Sequence, residues 1–402
     1  MRAIITPGKA RGNVMAPPSK SMAHRLLMGA GLSEGVSRIK NIDLSEDIKA
    51  TLGILKALGC EYVIQEREVI LTGIGLKKIY AKEKLDCKES GSTLRFFIPL
   101  LLTGGYEAEF YGAKRLFERP LGIYEDICKE QGIVFEKKEC GLRVCGKLKA
   151  MHYKVPGGIS SQFITGLLFA LPLLKENSVL EIIPPIESKA YIDMTLETLE
   201  IYGVHVVRKD NCFYIDGNQK YKAFSGAVEG DYSNAAFLEA LNVIGGEVNI
   251  EGLRKDSLQG DQIYQNYFVR LQEDGAKLDI SECPDLGPIL IAVAAAKHGA
   301  ILTGTHRLKI KESDRGTVMA QELRKFGIQV CVTENTIVVE KGKLKVPSEL
   351  LDSHNDHRIA MSLATLCTIT GGEIEGCESV RKSFPNYYQV IKELGIQVQI
   401  EE

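Results

Sequence analysis

Residues 17–25 read PPSKSMAHR and lead directly into the apolar segment LLMGA at residues 26–30. Prolines and a serine before an apolar run are typical of a loop that ends at a helix N-terminus. Such an end presents N–H groups and a partial positive charge, so it favours an anion, and Lys20 and Arg25 add two cations there. Taken alone, the stretch is better explained as an ordinary serine-capped helix with solvated basic residues.

Repetition changes this interpretation, because a polar motif followed by an apolar helix occurs six times in the chain. The other five copies occupy residues 89–96, 157–163, 229–234, 283–288 and 354–358. Six similar helix starts are candidates to build one shared anion site.

A second signature repeats along the same chain. A glycine that follows an amphipathic helix and precedes alternating apolar residues predicts a helix end leading into a strand. It occurs at Gly59, Gly132, Gly203, Gly275, Gly327 and Gly395. The intervals are 73, 71, 72, 52 and 68 residues, which suits a βαβαββ-sized unit. The short fourth interval predicts that the unit around Gly275 lacks a hairpin.

Helices and strands alternate throughout, so the predicted class is mixed α/β. The first unit, for example, predicts helices at 26–32 and 48–58 and strands at 36–42, 61–65 and 69–72. The first helix of a unit is nearly all apolar, which predicts buried helices with sheets outside them. Six units divide into two domains of three, residues 18–226 and a discontinuous domain of 1–17 plus 227–402. The first strand, at residues 2–5, is expected to complete a sheet of the discontinuous domain.

Composition excludes several classes of protein. Of 402 residues, 45% are hydrophobic and 25% are charged, which is ordinary for a globular protein. The formal net charge of −2 argues against nucleic acid as a partner. The ten cysteines form no Cys-x-x-Cys pair and no cluster with metal-ligand spacing, so we expect reduced thiols in the cytoplasm and no metal. We expect no signal peptide and no membrane span, because no apolar run is long enough.

The densest charged stretch is RLKIKESDR at residues 307–315. An acidic helix start with solvated cations explains it as well as a proton-transfer pair formed by Lys311 and Glu312. Asp285, between a proline and an all-apolar helix, is either an N-cap or a general base whose pKa is raised by burial among apolar neighbours.

Eight motifs then occur in a fixed order. They are KSxxxR at 20–25, SGSTxR at 90–95, RP at 119–120, SSQF at 160–163, SKxYID at 188–193, KESDR at 311–315, NDHR at 355–358 and KxFP at 382–385. Each motif alone is weak, but the ordered set resembles the 5-enolpyruvylshikimate-3-phosphate synthase family of enolpyruvyl transferases. The likeness runs from about residue 10 to the end of the chain.

The resemblance implies a two-domain inside-out α/β barrel built from six repeated βαβαββ-type units, three per domain. It implies transfer of the enolpyruvyl group of phosphoenolpyruvate to the 5-hydroxyl of shikimate 3-phosphate, with release of phosphate. No cofactor and no metal is implied, and we expect a monomer. The two substrates bring four anionic groups into one cleft. Because gathering so many cations is unfavourable in the empty protein, we expect an open form that closes about a hinge.

The family's roles transfer to matching positions of this sequence. The resemblance makes Lys20, Asp285, Lys311 and Glu312 catalytic, with Asp285 taking the 5-hydroxyl proton, Glu312 serving the methylene carbon and Lys311 between the substrates. It assigns shikimate 3-phosphate to Lys20, Ser21, Arg25, Ser160, Ser161, Gln162, Ser188, Tyr191, Asp285 and Lys311. It assigns phosphoenolpyruvate to Lys20, Gly91, Arg119, Gln162, Arg315, Arg358 and Lys382.

Two residues depart from the family pattern. Glu89 stands where relatives commonly have asparagine, and its carboxylate would repel phosphoenolpyruvate unless Lys88 or another cation pairs with it. Arg307 stands where some relatives have asparagine beside the shikimate ligand.

Two alternatives remain open. One is the enolpyruvyl transferase of the same fold that acts on UDP-N-acetylglucosamine, although its Gly-rich loop with a catalytic Cys or Asp is absent before Arg119. The other is a non-catalytic anion- or RNA-binding protein on the same repeated unit. Near-neutral charge and a lack of stacking aromatics among the basic motifs count against it.

Overall fold

The computed structural model describes residues 1–75 and 84–402. They divide into two compact units of mixed α/β structure. The continuous unit comprises Lys20–Glu229, and the discontinuous unit comprises Met1–Ser19 with Gly230–Glu402. The boundaries expected from the sequence lie within a few residues of these.

The described residues form 13 α-helices. In chain order these are α1 Lys20–Leu32, α2 Glu46–Ala57, α3 Gly91–Gly104, α4 Lys114–Glu118, α5 Gly122–Gln131, α6 Ser161–Ala170, α7 Lys189–Ile201, α8 Tyr232–Val243, α9 Tyr264–Arg270, α10 Gly287–Ala296, α11 Arg315–Lys325, α12 His357–Thr370 and α13 Tyr387–Glu393. Short 3₁₀ helices occupy Leu171–Leu173, Gly260–Ile263, Pro284–Leu286, His306–Ile310 and Cys377–Lys382.

The same residues form 23 strands. The first twelve are β1 Arg2–Ile5, β2 Arg11–Met15, β3 Ser33–Lys40, β4 Glu61–Gln65, β5 Glu68–Ile74, β6 Leu85–Asp86, β7 Glu107–Tyr111, β8 Val134–Lys138, β9 Gly141–Cys145, β10 His152–Pro156, β11 Ser178–Ile183 and β12 Val206–Lys209. The remaining eleven are β13 Cys212–Ile215, β14 Tyr221–Lys222, β15 Ser225–Ala227, β16 Glu247–Glu251, β17 Lys277–Asp279, β18 Ala300–Thr303, β19 Val330–Val332, β20 Thr336–Val339, β21 Leu351–Asp352, β22 Gly372–Glu375 and β23 Val398–Glu401.

Five of the six sheets share one topology, in which a parallel pair is extended by two antiparallel pairs. In the continuous unit the strand orders are β14-β3-β5-β4, with β15 also on β3, then β6-β7-β9-β8 and β10-β11-β13-β12. In the discontinuous unit they are β17-β18-β20-β19 and β21-β22-β1-β23. Within the described ranges, no sheet closes on itself.

The sixth sheet contains only the parallel pair β2 and β16. The strand after Gly275 is β17, which belongs to the next sheet, so the predicted loss of a hairpin in this unit is confirmed. The expected placement of the first strand is also confirmed. Strand β1 lies between β22 and β23, and both of its pairings are antiparallel.

The repeated glycines end helices as the pattern predicts. All six have φ angles between 69° and 101°, the left-handed region that follows a helix C-terminus. The apolar helices are buried, and in α10 nine of ten residues are inaccessible to solvent. In the ranges that the structure describes, no helix combines the length and apolar character needed to cross a membrane.

The first unit follows its sequence pattern with one difference at the start of α1. The expected loop at residues 17–25 gives way to helix at Lys20, so Lys20 and Ser21 occupy the first turn. Their side chains are therefore fixed by helical geometry rather than by a loop.

Two glycines allow the effect of backbone conformation on stability to be measured separately from the effect of packing. A Cβ atom added at Gly132 or at Gly53 meets no atom within 4 Å, but Gly132 has φ of 70° and Gly53 lies inside α2. We expect Gly132→Ala to lower the free energy of unfolding by about 1–2 kcal/mol. Gly53→Ala should raise it by about 0.5–1 kcal/mol. Urea denaturation measures both, and equal shifts of the same sign would contradict the assignment.

Candidate active site

Lys20, in the first turn of α1, forms an ion pair inside the continuous unit. Its Nζ lies 2.8 Å from Asp47 Oδ2, and the two side chains are 16% and 12% exposed. Asp47 is fixed in the first turn of α2, where Ser45 Oγ accepts a hydrogen bond from the Ile48 N–H. The sequence motifs include Lys20 but not Asp47, which lies 27 residues further along the chain.

Arg25 is buried and donates to neutral acceptors. Its Nε donates to Thr195 Oγ1 at 2.9 Å, and its Nη2 donates to Thr165 Oγ1 at 3.2 Å and to the Tyr191 carbonyl at 2.8 Å. Nη1 donates to the Ser21 carbonyl at 2.9 Å. Burial lowers the pKa of Arg25 to about 10. The guanidinium thus ties α1 to α6 and α7, and these acceptors leave its positive charge uncompensated.

Two guanidinium groups lie against Gly91, the first residue of α3. A Cβ atom here would be 2.8 Å from Arg119 Nη1 and 2.9 Å from Arg95 Nη1. Arg95 Nη1 also donates to Gln162 Oε1 at 2.7 Å, and Gln162 Nε2 donates to Ser92 Oγ at 3.0 Å. Glycine is required for this close approach. Arg95, which no sequence motif singled out as a ligand, orients the predicted ligand residue Gln162.

Three serines of the predicted phosphate site lie at helix N-termini of the continuous unit. Ser160 caps α6 and accepts the Gln162 N–H at 3.3 Å, and Ser161 is the first residue of that helix. Ser188 precedes α7 with a left-handed φ of 56°. Backbone N–H groups and hydroxyls at two helix starts are suited to bind a phosphate group.

Arg315 is the centre of the polar cluster in the discontinuous unit. Its side chain is 1% exposed, with Nη1 2.8 Å from Asp285 Oδ1, Nη2 2.7 Å from Glu312 Oε2 and Nε 2.8 Å from Asp356 Oδ2. Burial opposes the charged form of Arg315, but the three carboxylates outweigh it and raise the pKa. The guanidinium therefore gathers two predicted catalytic carboxylates and a third that the sequence left without a role.

Asp285 is surrounded by cations. Besides Arg315, Lys311 Nζ lies 3.0 Å from its Oδ1, and Arg358 Nη2 lies 3.4 Å from its Oδ2. Burial raises the pKa of Asp285, but Arg358, Lys311 and Arg315 together outweigh this and hold it well below its ordinary value. The carboxyl group is ionised in this structure.

Two expectations for Asp285 drawn from its neighbours in sequence, the N-cap position and the raised pKa, are therefore wrong, whereas its role as a general base stays a prediction. It is not an N-cap, because it lies in the 3₁₀ turn Pro284–Leu286, and the capping position of α10 is Leu286. Its pKa is lowered rather than raised, since apolar neighbours along the chain do not reveal cations supplied by distant segments.

Lys311, Arg358 and Lys382 complete the predicted cations of this unit. Burial lowers the pKa of Lys311 most strongly, against the raising effect of Asp285. Arg358 Nη1 donates to the Asp285 carbonyl at 3.0 Å, and Lys382 Nζ donates to the Asn355 carbonyl. Each cation is thus fixed by at least one protein acceptor.

Asp356 caps α12 and connects it to α11. Its Oδ1 accepts the Arg358 N–H at 2.9 Å, and its Oδ2 accepts from Ser313 Oγ at 3.0 Å as well as from Arg315. Burial raises the pKa of this carboxyl, but Arg315 contributes the main opposing effect and the net pKa is lowered. An aspartate directly before an apolar helix was the available signal for the cap but not for the ion pair.

A further buried carboxyl lies in the same unit without any signal in the sequence. Ser233 Oγ donates to Asp261 Oδ2, and Asp261 is 2% exposed. Burial raises the pKa of Asp261 to about 6, the charge of Asp285 adds to this, and Arg358 opposes it. Asp261 thus belongs electrostatically to the Asp285 cluster.

The two departures from the family pattern have distinct surroundings. Arg307 is 4% exposed and donates from Nη2 to the Ser281 carbonyl, so it is anchored within its own unit. Lys88, the cation expected to pair with Glu89, has its Nζ 3.4 Å from Glu46 Oε2.

The predicted residues thus form two sets. The continuous unit carries Lys20, Ser21, Arg25, Gly91, Arg119, Ser160, Ser161, Gln162, Ser188 and Tyr191, and the discontinuous unit carries Asp285, Lys311, Glu312, Arg315, Arg358 and Lys382. Across residues 1–75 and 84–402, no group of three or more His, Cys, Asp or Glu side chains is arranged to hold a metal ion.

Comparison with known proteins identifies relatives over almost the whole chain. The family model described as EPSP synthase (3-phosphoshikimate 1-carboxyvinyltransferase) matches residues 4–391. A 3-phosphoshikimate 1-carboxyvinyltransferase of Clostridium kluyveri is 42% identical, with 98% of this chain and 97% of that protein covered. The enzyme of the same name from Clostridium acetobutylicum is 39% identical, covering 97% of this chain and 96% of that protein.

A solved EPSP synthase structure from Acinetobacter baumannii has the same fold. Its TM-score is 0.79 at 24% sequence identity, and the match covers 99% of this chain and 100% of that one. At this identity the likeness concerns the fold alone.

Removing the central guanidinium should destabilise the discontinuous unit. Arg315→Gln leaves three carboxylates without their shared donor, and we expect a loss of about 3–5 kcal/mol at pH 7. The pKa values of Asp285 and Asp356 are lowered in the folded protein. Their contribution to the free energy of unfolding is therefore fully present above the unfolded-state pKa of about 3.9 and is lost as pH falls through the folded-state pKa values. Urea denaturation at several pH values should therefore show that the difference in free energy of unfolding between the wild type and Arg315→Gln becomes smaller as the pH falls.

Arg254→Gln is the matched control in the same unit. Arg254 pairs with Asp256 at 2.8 Å, and the side chains are 54% and 76% exposed. Exposed pairs contribute less than about 1 kcal/mol. If the two substitutions had equal effects, Arg315 would not be the organising charge.

Proposed function

This chain belongs to the EPSP synthase family, and we propose that it transfers the 1-carboxyvinyl group of phosphoenolpyruvate to shikimate 3-phosphate. The reaction belongs to the shikimate pathway and releases phosphate. The observation that carries the proposal is the ionised Asp285 held by three cations, with Glu312 on the same guanidinium. Cations for anionic substrates and carboxylates for proton transfer are thereby gathered in one cluster.

The family membership also supports a finer description of the architecture. We propose that each of the six open sheets belongs to one repeated unit, three in each compact unit, with the apolar helices inside. The shared strand order of five sheets and the burial of α10 support this arrangement.

The substrates' negative charges are matched to the cations. Phosphoenolpyruvate carries a carboxylate and a phosphate, and Arg119, Arg315, Arg358 and Lys382 are proposed to bind them with Lys20, Gly91 and Gln162. Charge-assisted hydrogen bonds from guanidinium groups suit both anions. The 3-phosphate of the other substrate is proposed to bind Ser160, Ser161 and Ser188, where helix N-termini supply N–H donors.

The remaining contacts to shikimate 3-phosphate follow from the first turns of α1 and α7. Ser21 and Tyr191 supply polar and ring surfaces, and Lys20 supplies a charge near its partner Asp47. Arg25 already donates four hydrogen bonds to protein acceptors. Its role in this proposal is mainly to fix Ser21 and Tyr191 and to contribute positive potential.

Substrate binding itself makes Asp285 basic in this mechanism. Its pKa is low because Arg358, Lys311 and Arg315 contact it. When anionic substrate competes for these cations, the carboxylate loses stabilisation and its pKa rises. Asp285 is then able to accept the proton of the 5-hydroxyl group.

The bond changes balance without an oxidant or reductant. When phosphoenolpyruvate draws Arg315 away, the Glu312 carboxylate loses its ion pair and takes up a proton from solvent. The 5-hydroxyl oxygen then bonds to C2 of phosphoenolpyruvate as its proton passes to Asp285, and Glu312 gives its proton to the methylene carbon C3, which becomes a methyl group. Glu312 then takes a proton back from that methyl group as the C2=C3 double bond forms again, the C2–O bond to phosphate breaks, and Asp285 returns its proton to the departing phosphate. Lys311, whose pKa burial lowers, lies 3.0 Å from Asp285 and stabilises the changing charges.

Phosphate release tests the proposed reaction. We expect release only when phosphoenolpyruvate and shikimate 3-phosphate are both present, with no effect of a chelator. Glu312→Ala and Lys20→Ala should each lower kcat/KM by at least about 100-fold. Lys49→Ala is a control, because Lys49 is 51% exposed and pairs with Glu46 on the surface of α2.

Other outcomes assign the chain elsewhere. Release with UDP-N-acetylglucosamine in place of shikimate 3-phosphate would indicate the other enolpyruvyl transferase. If phosphate is released with neither acceptor, the proposal that the chain is an enolpyruvyl transferase is wrong. Salt-dependent RNA binding without any phosphate release would indicate a non-catalytic anion-binding protein.

Gly91→Ala tests the binding of phosphoenolpyruvate separately. The added methyl group would be 2.8 Å and 2.9 Å from the two Nη atoms of Arg119 and 2.9 Å from Arg95 Nη1, so both guanidinium groups must move. We expect the KM for phosphoenolpyruvate to rise about 10-fold, a loss of about 1.4 kcal/mol. The KM for shikimate 3-phosphate should rise less, because the substitution reaches that substrate only through Arg95 and Gln162. Gly53→Ala, which meets no atom within 4 Å, is the control. Equal changes in both KM values would contradict the assignment of Arg119.

A further inference from the structure

Glu322, a buried carboxylate outside the proposed site, contacts the turn at residues 352–356. That turn makes hydrogen bonds to three cations of the proposed site. Glu322 lies two turns after Arg315 in α11, and its side chain is 1% exposed. Its Oε1 is 3.0 Å from His354 Nε2, and its Oε2 accepts the Asp352 N–H at 3.0 Å. Lys325 Nζ lies 2.9 Å from each of the two oxygens.

The turn that Glu322 contacts has an unfavourable backbone. His354 and Asn355 are consecutive non-glycine residues with φ of 48° and 54°. Residues with side chains rarely adopt this region, and such strain persists only where the surroundings fix it. Local bonds contribute, since the His354 N–H donates to Asp352 Oδ1 at 2.7 Å and the Asn355 N–H donates to Ser353 Oγ at 3.2 Å.

The turn makes direct hydrogen bonds to residues of the proposed site. The Asn355 carbonyl accepts the hydrogen bond of Lys382 Nζ. The next residue, Asp356, accepts from Arg315 Nε and from the Arg358 N–H. A rotation of the 354–355 backbone would move the three phosphoenolpyruvate cations proposed in the discontinuous unit, Arg315, Arg358 and Lys382.

We propose that Glu322 and His354 are positioning residues that fix the 352–356 turn and thereby the phosphoenolpyruvate-binding cations of the discontinuous unit. This inference rests on the proposed function. Neither residue touches substrate in the proposal. Glu322 anchors the turn to α11, the same helix that begins with Arg315, so the two ends of one rigid element fix Arg315 and the turn together.

The charge of His354 adds a pH dependence to this anchor. The groups that face it are Glu322 and Lys325 of α11 and Asp352 of β21. The hydrogen bond with Glu322 raises the pKa of His354 above its usual value, burial opposes this, and Asp352 adds to it. The ion pair is therefore present below the unfolded pKa of about 6.5 and is lost as pH rises through the higher folded value.

Steady-state kinetics of the full chain test the inference. Glu322→Gln keeps the shape of the side chain but removes its charge, and we expect the KM for phosphoenolpyruvate to rise about 10-fold. The KM for shikimate 3-phosphate should stay within about twofold, because most of its proposed contacts lie in the continuous unit. His354→Asn removes the imidazole while asparagine tolerates the left-handed backbone, and it should raise the same KM. It keeps the inference testable if Glu322→Gln fails to fold.

The pH profile provides a readout that loss of stability does not give. In the wild type, the KM for phosphoenolpyruvate should rise as pH increases through the pKa of His354. His354→Asn should lack this component, and comparing the two proteins at each pH cancels the titration of the substrate itself.

Leu323→Ala is the control for general destabilisation of α11. Leu323 is fully buried beside Glu322 and does not contact the turn through a polar group. If Leu323→Ala changes the ratio of the two KM values as Glu322→Gln does, the role is merely structural and the inference is overturned. If the wild type turns over both substrates and both Glu322→Gln and His354→Asn keep the wild-type ratio of the two KM values, the inference is overturned while the proposed function stands. A wild type without turnover overturns the proposed function and the inference together.

Discussion

The ion pairs of the buried Arg315 guanidinium are the constraint on which the rest of the discontinuous unit's site depends. A guanidinium excluded from water is stable only if its charge and its donors are matched. Asp285, Glu312 and Asp356 supply that match from three segments that are distant in sequence. Each segment is therefore held where its carboxylate can reach the same cation. Adding Lys311 and Arg358, three cations face three carboxylates, so the repulsion expected among gathered cations is offset inside this unit.

In the continuous unit, the buried Arg25 donates to neutral acceptors instead of carboxylates. Arg25 donates to two threonine hydroxyls and two carbonyls, and Arg95 donates to Gln162 and to the Pro120 carbonyl. The four acceptors of Arg25 are neutral, so they do not cancel its charge, and the lowered pKa of Arg25 reflects the cost of burying that charge. A positive potential that the protein has not neutralised favours a phosphate group. This contrast agrees with the proposed roles, in which the continuous unit binds the 3-phosphate and the discontinuous unit combines the proton-transfer carboxylates with three phosphoenolpyruvate cations.

Local patterns in the sequence predicted the local parts of this structure well. The repeated glycines mark helix ends, the short interval after Gly275 reveals the missing hairpin, and the apolar run at 287–296 is a buried helix. These features depend on neighbouring residues, whose properties the sequence displays directly. The motifs also identified most of the side chains that the structure gathers in each unit.

Pairings between distant segments could not be predicted in this way. Asp285 was expected to have a raised pKa because its sequence neighbours are apolar, but its cations come from residues 311, 315 and 358. Glu322 belongs to no motif found in the sequence, and only the fold brings it to His354. Two of the three cations that hold Asp285 ionised and weakly basic, Arg315 and Arg358, are also proposed to bind phosphoenolpyruvate. Because these two arginines serve both partners in the proposed mechanism, the carboxylate becomes a useful base only when phosphoenolpyruvate has taken them, which ties proton removal to the presence of the group that receives the oxygen.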